Sequence, residues 1–195
     1  CLPPGAAREP PQKVGAVFLM RESEYGIVGA RGEGAKVHKW WNHMPAEQIK
    51  AQLPPDMWNG YYKFCCVRNP WDKTVSAFHF HYRGPAIEPR NRMAAFREWL
   101  FGDPRLGVDY RLYAIDGEVV VNRFIRYERL AADMAQVCAD VGVPVPELAW
   151  LKGGIRPAGA HYSTYYDAES RAFIADQFAP DIALHGYTFE QRAAA

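Results

Sequence analysis

The sequence has almost no excess charge of either sign. It holds 23 lysines and arginines against 22 aspartates and glutamates in 195 residues, so its formal net charge is +1 at pH 7 with histidine neutral. So small a net charge gives no field over the whole surface that would mark out nucleic acid or an anionic membrane as a partner. We therefore expect no nucleic-acid partner, and any anion site has to be built locally.

Long apolar runs are also missing. The longest one near the N-terminus, residues 16–20 with Val14 before it, is far too short to cross a bilayer, which takes about 20 apolar residues. It also lacks the small-residue cleavage pattern of a signal peptide. The sequence therefore predicts no membrane segment in this chain.

Cysteine is scarce. The chain contains four cysteines, Cys1, Cys65, Cys66 and Cys138. No pair of them has the spacing of metal ligands, and they form no disulfide framework. We expect buried thiols in a reducing compartment, which favours a cytoplasmic location, and we expect no metal.

The length and composition predict a single domain over residues 1–195. With 49% apolar residues, the chain is long enough for one globular core and too short for two. Residues 1–36 are predicted as an irregular or divergent N-terminal segment. Within it, residues 14–20 predict a strand, and residues 26–34, which hold four glycines, predict a loop.

Strand and helix patterns then alternate. Pro45 begins a short helix that runs through Leu53, where the next two prolines stop it. Residues 61–67 predict a buried strand, residues 93–101 a helix, and residues 119–127 another strand. Alternating strands and helices predict an α/β fold with a mainly parallel central sheet flanked by helices.

Two more helices are predicted towards the C-terminus. One carries apolar residues on a single face and ends at Gly142, since glycine favours helix ends. Those apolar residues are Leu130, Met134, Val137 and Val141. The last helix is capped by Asp167 and is predicted to stop near Pro180.

A strand runs directly into a helix within residues 64–76, FCCVRNPWDKTVS. Asn69 is a good N-cap, Pro70 suits the first helical position, and Asp72 approximates the third-position acid of a capping box. The helix then carries a core-facing stripe with helical spacing. This stripe consists of Trp71, Val75, Phe78 and Tyr82.

The same junction predicts an anion site. It puts the Arg68 guanidinium and several unbonded helix N–H groups at the carboxyl edge of the sheet, where open α/β folds bind ligands. Ser76 lies seven residues after Asn69, about 10 Å along the helix, so a phosphate touched by both side chains must lie against the helix flank. An isolated arginine would more often form a surface ion pair, but the whole string favours the phosphate.

The string R-N-P-W-D-K-x-V-S-A-F, residues 68–78, resembles the R-N-P-x-D-R-x-V-S-x-Y signature of sulfotransferases, especially the carbohydrate-type and related bacterial branch. Several ordered motifs extend the resemblance to roughly residues 38–189, which is far more specific than one short pattern. These motifs lie at residues 41–50, 53–64, 124–130, 161–171 and 181–189.

The resemblance implies a P-loop-nucleotide-kinase-like sulfotransferase fold. It implies transfer of a sulfuryl group from 3′-phosphoadenosine 5′-phosphosulfate (PAPS), the co-substrate, to an acceptor hydroxyl or amine of a carbohydrate or small metabolite, without a metal. In the family the motif's arginine and serine hold the 3′-phosphate of PAPS, which here implies Arg68 and Ser76. It further implies that Tyr127 stacks on adenine and that Arg156 and Tyr162 lie near the nucleotide, with Arg156 as a second phosphate contact.

Alternatives stay open for these added residues. Tyr127 fits equally well as a core tyrosine at a strand end, and Arg156 as an exposed arginine on a glycine-rich loop. His43, in N-H-M-P, is the candidate base that takes the acceptor's proton, because histidine changes charge near neutral pH. Its alternative is a histidine that caps or packs against the next helix.

One part of the family pattern is not found. The family binds the 5′-phosphosulfate with a lysine- and glycine-bearing loop after an N-terminal strand, and this sequence shows no equivalent. We expect that the chain is a fragment lacking that loop. The alternative function is a catalytically inactive nucleotide-binding pseudoenzyme or adaptor with the same fold. A P-loop kinase would need G-x-x-x-x-G-K-[ST], which is absent. The oligomeric state is left open.

Overall fold

The computed structural model describes residues 13–14, 17–23, 26–82, 84–102, 106–148, 156 and 160–190. Within them the fold is mixed α/β, mostly helical, with a small parallel sheet. This confirms the predicted α/β class. The parallel sheet is smaller than predicted, because in the described residues it comprises two strands, β5 (Phe64–Val67) and β8 (Arg123–Arg126).

Short antiparallel pairs come first in the chain. β1 (Lys13–Val14) pairs with β2 (Val17–Phe18), and β3 (Arg21–Ser23) pairs with β4 (Gly26–Val28). The prediction of one strand over residues 14–20 is therefore wrong, and the loop predicted over residues 26–34 begins only after β4, at Gly29. An apolar run indicates extended backbone but carries no signal for where the chain reverses.

The chain divides into two compact units, and the first comprises residues 1–65, 111–123 and 134–146. Helix α1 (Ala46–Gln52) confirms the helix predicted from Pro45, which is its N-cap. The helix ends before the next two prolines as predicted, with Leu53 as its C-cap, and Pro55 then starts a second helix, α2 (Pro55–Gly60). Proline fits there because the N–H groups of the first helical turn have no intrahelical acceptor, so no hydrogen bond is lost.

A tight hairpin also belongs to the first unit. β6 (Ala114–Ile115) pairs antiparallel with β7 (Glu118–Val119) through Asp116 and Gly117. Their φ angles are 50° and 86°, the left-handed pair that a two-residue hairpin turn needs and that Asp-Gly supplies. The strand predicted over residues 119–127 thus splits, its first residue pairing with β6 and its later part forming β8.

The second unit comprises residues 66–110, 124–133 and 147–195. Its α3 (Pro70–His81), α4 (Arg92–Phe101) and α7 (Ala168–Gln177) confirm three predicted helices. Asp167 forms a full capping box with Ser170. α7 stops near Pro180 as predicted, since its C-cap is Phe178, but it is not the last helix, because Pro180 lies in the first turn of α8 (Ala179–His185).

Each of the two remaining helices has residues assigned to both units. They are α5 (Tyr110–Tyr113) and α6 (Leu130–Asp140). The predicted end of α6 is confirmed by Gly142, whose φ is 68°. No helix in the part of the chain that the structure describes is long and apolar enough to span a membrane.

An aromatic core holds the second unit together. Trp71, Val75 and Phe78 are buried on one face of α3, which confirms the predicted stripe. Phe78 has no exposed surface, and its ring lies 5.0–5.5 Å from the rings of four neighbours. These are His79, Tyr82, Phe96 and Trp99. The ring contacts join α3 to α4, so α3 is fixed by its apolar face.

We expect Phe78→Ala to lower the free energy of unfolding by about 3–5 kcal/mol, the usual cost of truncating a buried phenylalanine. Phe80→Ala is the matched control on the same helix, since Phe80 is 40% exposed, and should change it by about 1 kcal/mol or less. Urea unfolding followed by tryptophan fluorescence measures both. Equal losses for the two variants would contradict this description of the core.

Candidate functional site

The junction between β5 and α3 is held by hydrogen bonds on both sides of Asn69. Its side chain accepts from the N–H groups of Trp71 (3.1 Å) and Asp72 (3.4 Å), which confirms the predicted N-cap. Its own N–H donates to Glu128 (2.7 Å), and its amide donates to the Thr188 carbonyl (3.1 Å). The backbone that carries Arg68 into the helix is therefore fixed.

Asp72 forms ion pairs instead of a capping box. The Nε and Nη2 of Arg68 donate to Asp72 Oδ2 at 2.7 and 2.5 Å. The capping-box prediction is wrong because Glu128, and not Asp72, accepts the Asn69 N–H. A carboxylate gains more from charged donors than from a neutral backbone N–H.

Arg156 reaches the same carboxylate. Its Nη1 donates to Asp72 Oδ1 at 2.5 Å, and its Nη2 donates to the Ala160 carbonyl at 2.7 Å. The Arg68 guanidinium also lies over the Tyr127 ring, 4.0 Å from its centroid. We call Arg68, Asp72, Tyr127 and Arg156 the arginine cluster. It brings together three residues that the sequence singled out.

Ser76 lies one helical turn beyond Asp72. Residues four apart on a helix share a face, with Cβ atoms about 5–6 Å apart, so Ser76 borders the arginine cluster. Its side chain is half-buried, and it makes no side-chain hydrogen bond to another described residue. The hydroxyl of Thr74 on a different face, by contrast, donates to the Pro70 carbonyl at 2.8 Å. The Ser76 hydroxyl is thus open to a ligand.

The flank of α3 continues one turn further to His79. Its Nε2 hydrogen-bonds with the Tyr165 hydroxyl at 2.8 Å. Burial lowers the pKa of His79, and the charges of Arg156 and Arg92 lower it further. His79 therefore favours its neutral form, in positive surroundings that suit an anion.

Two predicted site residues are not among the contacts of the arginine cluster. His43 belongs to the first unit, is exposed, and adopts a left-handed φ of 57°. Tyr162 belongs to the second unit but is only 5% exposed, and its hydroxyl accepts from the Glu190 N–H at 2.7 Å. Tyr162 is thus a core residue of its unit, and its predicted place beside the nucleotide stays a prediction.

The loop before His43 is built by a close backbone contact in the first unit. Ala30 and Trp41 form a parallel bridge, in which the Ala30 N–H donates to the Trp40 carbonyl at 2.9 Å. A Cβ at Gly29 would lie 2.6 Å from the Trp41 carbonyl carbon, so this approach requires glycine. The glycine-containing segment after β4 therefore packs the N-H-M-P turn.

A cavity of about 420 Å³ lies beside the junction in the second unit. Its lining includes Asn69, Arg126, Glu128, Arg129, Tyr187 and Glu190. Both oxygens of Glu128 are engaged, one by the Asn69 N–H and the other by the Tyr187 hydroxyl at 3.4 Å. Burial raises the pKa of Tyr187, so this hydroxyl stays a donor. In the described ranges, no group of three or more potential ligand side chains could hold a metal ion.

Sequence reasoning missed Glu128 and the bridging role of Asp72. Glu128 does stand in the R-Y-E motif, directly after Tyr127, which was the available signal. Its contact with Asn69 spans 59 residues of chain. No local pattern indicates such a contact.

We expect the free energy of unfolding to fall as the pH drops from 7.5 to 5.5. Burial lowers the pKa of both His79 and His185 in the folded chain, below the value of about 6.5 of an unfolded histidine. The stabilisation is therefore complete above about pH 6.5 and is lost as the pH falls towards the folded values. Urea unfolding at the two pH values measures it.

One variant separates the contributors. His79→Gln should reduce the fall between the two pH values, because it removes one of the two histidines whose pKa burial lowers. Hydrogen bonds, first of all from Tyr62 and Ser170 respectively, lower the pKa of Asp140 and Asp167, but the stabilisation from these carboxylates is complete above about pH 5 and is lost only below it. Equal or greater stability at pH 5.5 would contradict the prediction.

Comparison with known proteins gives one informative relationship. No protein-family profile matches the chain, and no solved structure is significantly similar to it. An uncharacterized protein of Archaeoglobus fulgidus is 31% identical over 109 residues, which cover 52% of this chain and 84% of the archaeal protein. The chain therefore belongs to the same family as this archaeal protein.

Proposed function

We propose that the chain is a PAPS-dependent sulfotransferase with a P-loop-nucleotide-kinase-like sulfotransferase fold. The observation that carries the proposal is the arginine cluster beside Ser76. The motif of residues 68–78 supports the same assignment. In both, an arginine that closes a strand and a serine on the following helix border one place on the helix flank.

The binding step uses the donors of this flank. A guanidinium has five N–H donors, and Asp72 takes donors on two nitrogens of Arg68, so donors remain for the 3′-phosphate. Ser76 adds a hydroxyl one helical turn beyond Asp72. Charge-assisted bonds to phosphate are about twice as strong as neutral ones, so Arg68 contributes most. Tyr127, 46% exposed, offers an aromatic face for adenine.

The transfer step forms one bond and breaks one. An acceptor oxygen or nitrogen attacks the sulfur in line, the bond from sulfur to the bridging phosphate oxygen breaks, and adenosine 3′,5′-bisphosphate leaves. His43 takes the acceptor's proton. The acceptor is a hydroxyl or amine of a carbohydrate or small metabolite, and its selection resides in loops that vary within one fold.

A nucleotide-binding protein without catalysis is the second candidate. The observation that favours it is the missing lysine- and glycine-bearing loop for the 5′-phosphosulfate. Both candidates bind adenosine 3′,5′-bisphosphate, but the second transfers no sulfate even after such a loop is supplied. Following radiolabelled sulfate from PAPS to a panel of sugar and amine acceptors separates the two.

We expect Arg68→Ala to weaken the binding of adenosine 3′,5′-bisphosphate by at least about tenfold, the loss typical of removing a charged hydrogen-bond donor. Isothermal titration calorimetry measures this. Arg90→Ala is the matched control, because Arg90 is an exposed arginine of the same unit, paired with Glu88. Unchanged affinity in Arg68→Ala would show that the site is wrongly assigned.

Ser76→Ala should weaken the binding of adenosine 3′,5′-bisphosphate by about three- to tenfold, the loss expected for one neutral hydrogen bond. The binding of 5′-AMP, which has no 3′-phosphate, should not change. Calorimetry with both nucleotides therefore tests which phosphate the hydroxyl contacts. A parallel loss for both nucleotides would place Ser76 away from the 3′-phosphate.

A further inference from the structure

The carboxylate of Asp72 joins two parts of the chain that are far apart in sequence. Its Oδ2 accepts from Arg68 at the start of α3, and its Oδ1 accepts from Arg156, 84 residues later. All three side chains are about one-fifth exposed. Both carboxylate oxygens are thus used, and each guanidinium keeps further donors.

We propose that Asp72 is a positioning residue that sets the geometry of Arg68 and Arg156 for one phosphate group. The inference rests on the proposed function, because it concerns the same anion site. Asp72 itself does not touch the ligand. It acts by holding two guanidinium groups on the face of α3 that carries Ser76.

The two arginines need a counter-ion to stay side by side. Two like charges near a protein surface repel each other, and an intervening carboxylate replaces this repulsion with two attractions. Arg68 has a second support in the Tyr127 ring. Arg156 has the Ala160 carbonyl, which carries no full charge, so Arg156 depends more strongly on Asp72.

Two other acids in the described part of the second unit, Glu128 and Asp109, already have partners of their own. Glu128 already accepts from the Asn69 N–H and the Tyr187 hydroxyl. Asp109 pairs with Lys73 at 2.5 Å, on another face of α3. Loss of the Asp72 charge would therefore leave both guanidiniums without a carboxylate partner among these groups.

Removal of the Asp72 carboxylate changes anion affinity in two opposite ways, one through the charge and one through the geometry, so the role of Asp72 can be measured. Two arginines and one aspartate carry a net charge of +1, and removal of the carboxylate raises it to +2. General attraction for small anions then increases. Recognition that needs fixed donor positions decreases, because ordering two long side chains again costs conformational entropy.

The test compares Asp72→Asn, Asp72→Glu and the parent chain by calorimetry with adenosine 3′,5′-bisphosphate and with inorganic pyrophosphate. Asp72→Asn should bind the nucleotide about tenfold more weakly while its affinity for pyrophosphate stays equal or rises. Asp72→Glu, which keeps the charge, should recover part of the nucleotide affinity. Asp109→Asn is the matched control and should leave both affinities unchanged.

The other outcomes overturn the inference. If Asp72→Asn binds both anions more tightly, Asp72 only opposes anion binding through its charge. If both affinities fall together with the unfolding temperature, Asp72 is a structural residue. A failure of Asp72→Glu to recover any nucleotide affinity would likewise speak against positioning.

A second readout does not depend on the nucleotide. The side-chain Nε–H signals of Arg68 and Arg156 in 15N NMR should be dispersed and slowly exchanging in the parent chain, and averaged in Asp72→Asn. If the parent binds no nucleotide, the proposed function fails, and these signals alone decide the positioning role. If they are unchanged in Asp72→Asn, the positioning role is wrong even where the parent binds the nucleotide.

Discussion

Helix α3 has a buried apolar face and a polar face, and the angle between these faces sets where the polar side chains of the second unit lie. Trp71, Val75 and Phe78 are buried on one face, where aromatic packing against α4 fixes the rotation of the helix. The helical period then places Asp72 and Ser76 on a different face. The packing of the apolar face therefore determines where the polar face points, and with it the position of the anion site.

The polar face is electropositive for a structural reason. Arg68 and Arg156 come from segments far apart in the sequence, and Asp72 pairs with both of them. Burial is the main cause of the lowered pKa of His79, and the charges of Arg156 and Arg92 lower it further. A chain with a net charge of only +1 can thus hold a local cationic site.

The elements that sequence predicted well are those controlled by neighbouring residues. Asn69, followed by Pro70, caps one helix, and Asp167 with Ser170 caps another. Each cap satisfies backbone N–H groups that lie within three residues of it. The predictions failed where the decision lay outside the local window. Residues 119–127 contribute to two strand pairs, β6–β7 and β5–β8, and a further helix, α8, follows the one that Asp167 caps.

The sequence by itself determined the strand-to-helix junction, its cap, and the placement of Arg68 and Ser76 on one segment. These follow from short-range hydrogen bonding and helical periodicity. Only the tertiary structure decided that Asp72 pairs with Arg68 and Arg156 instead of capping the helix, and that Glu128 takes the Asn69 N–H. Contacts across 59 and 84 residues depend on how whole segments pack, and side-chain charge selects among partners only after packing has brought them together.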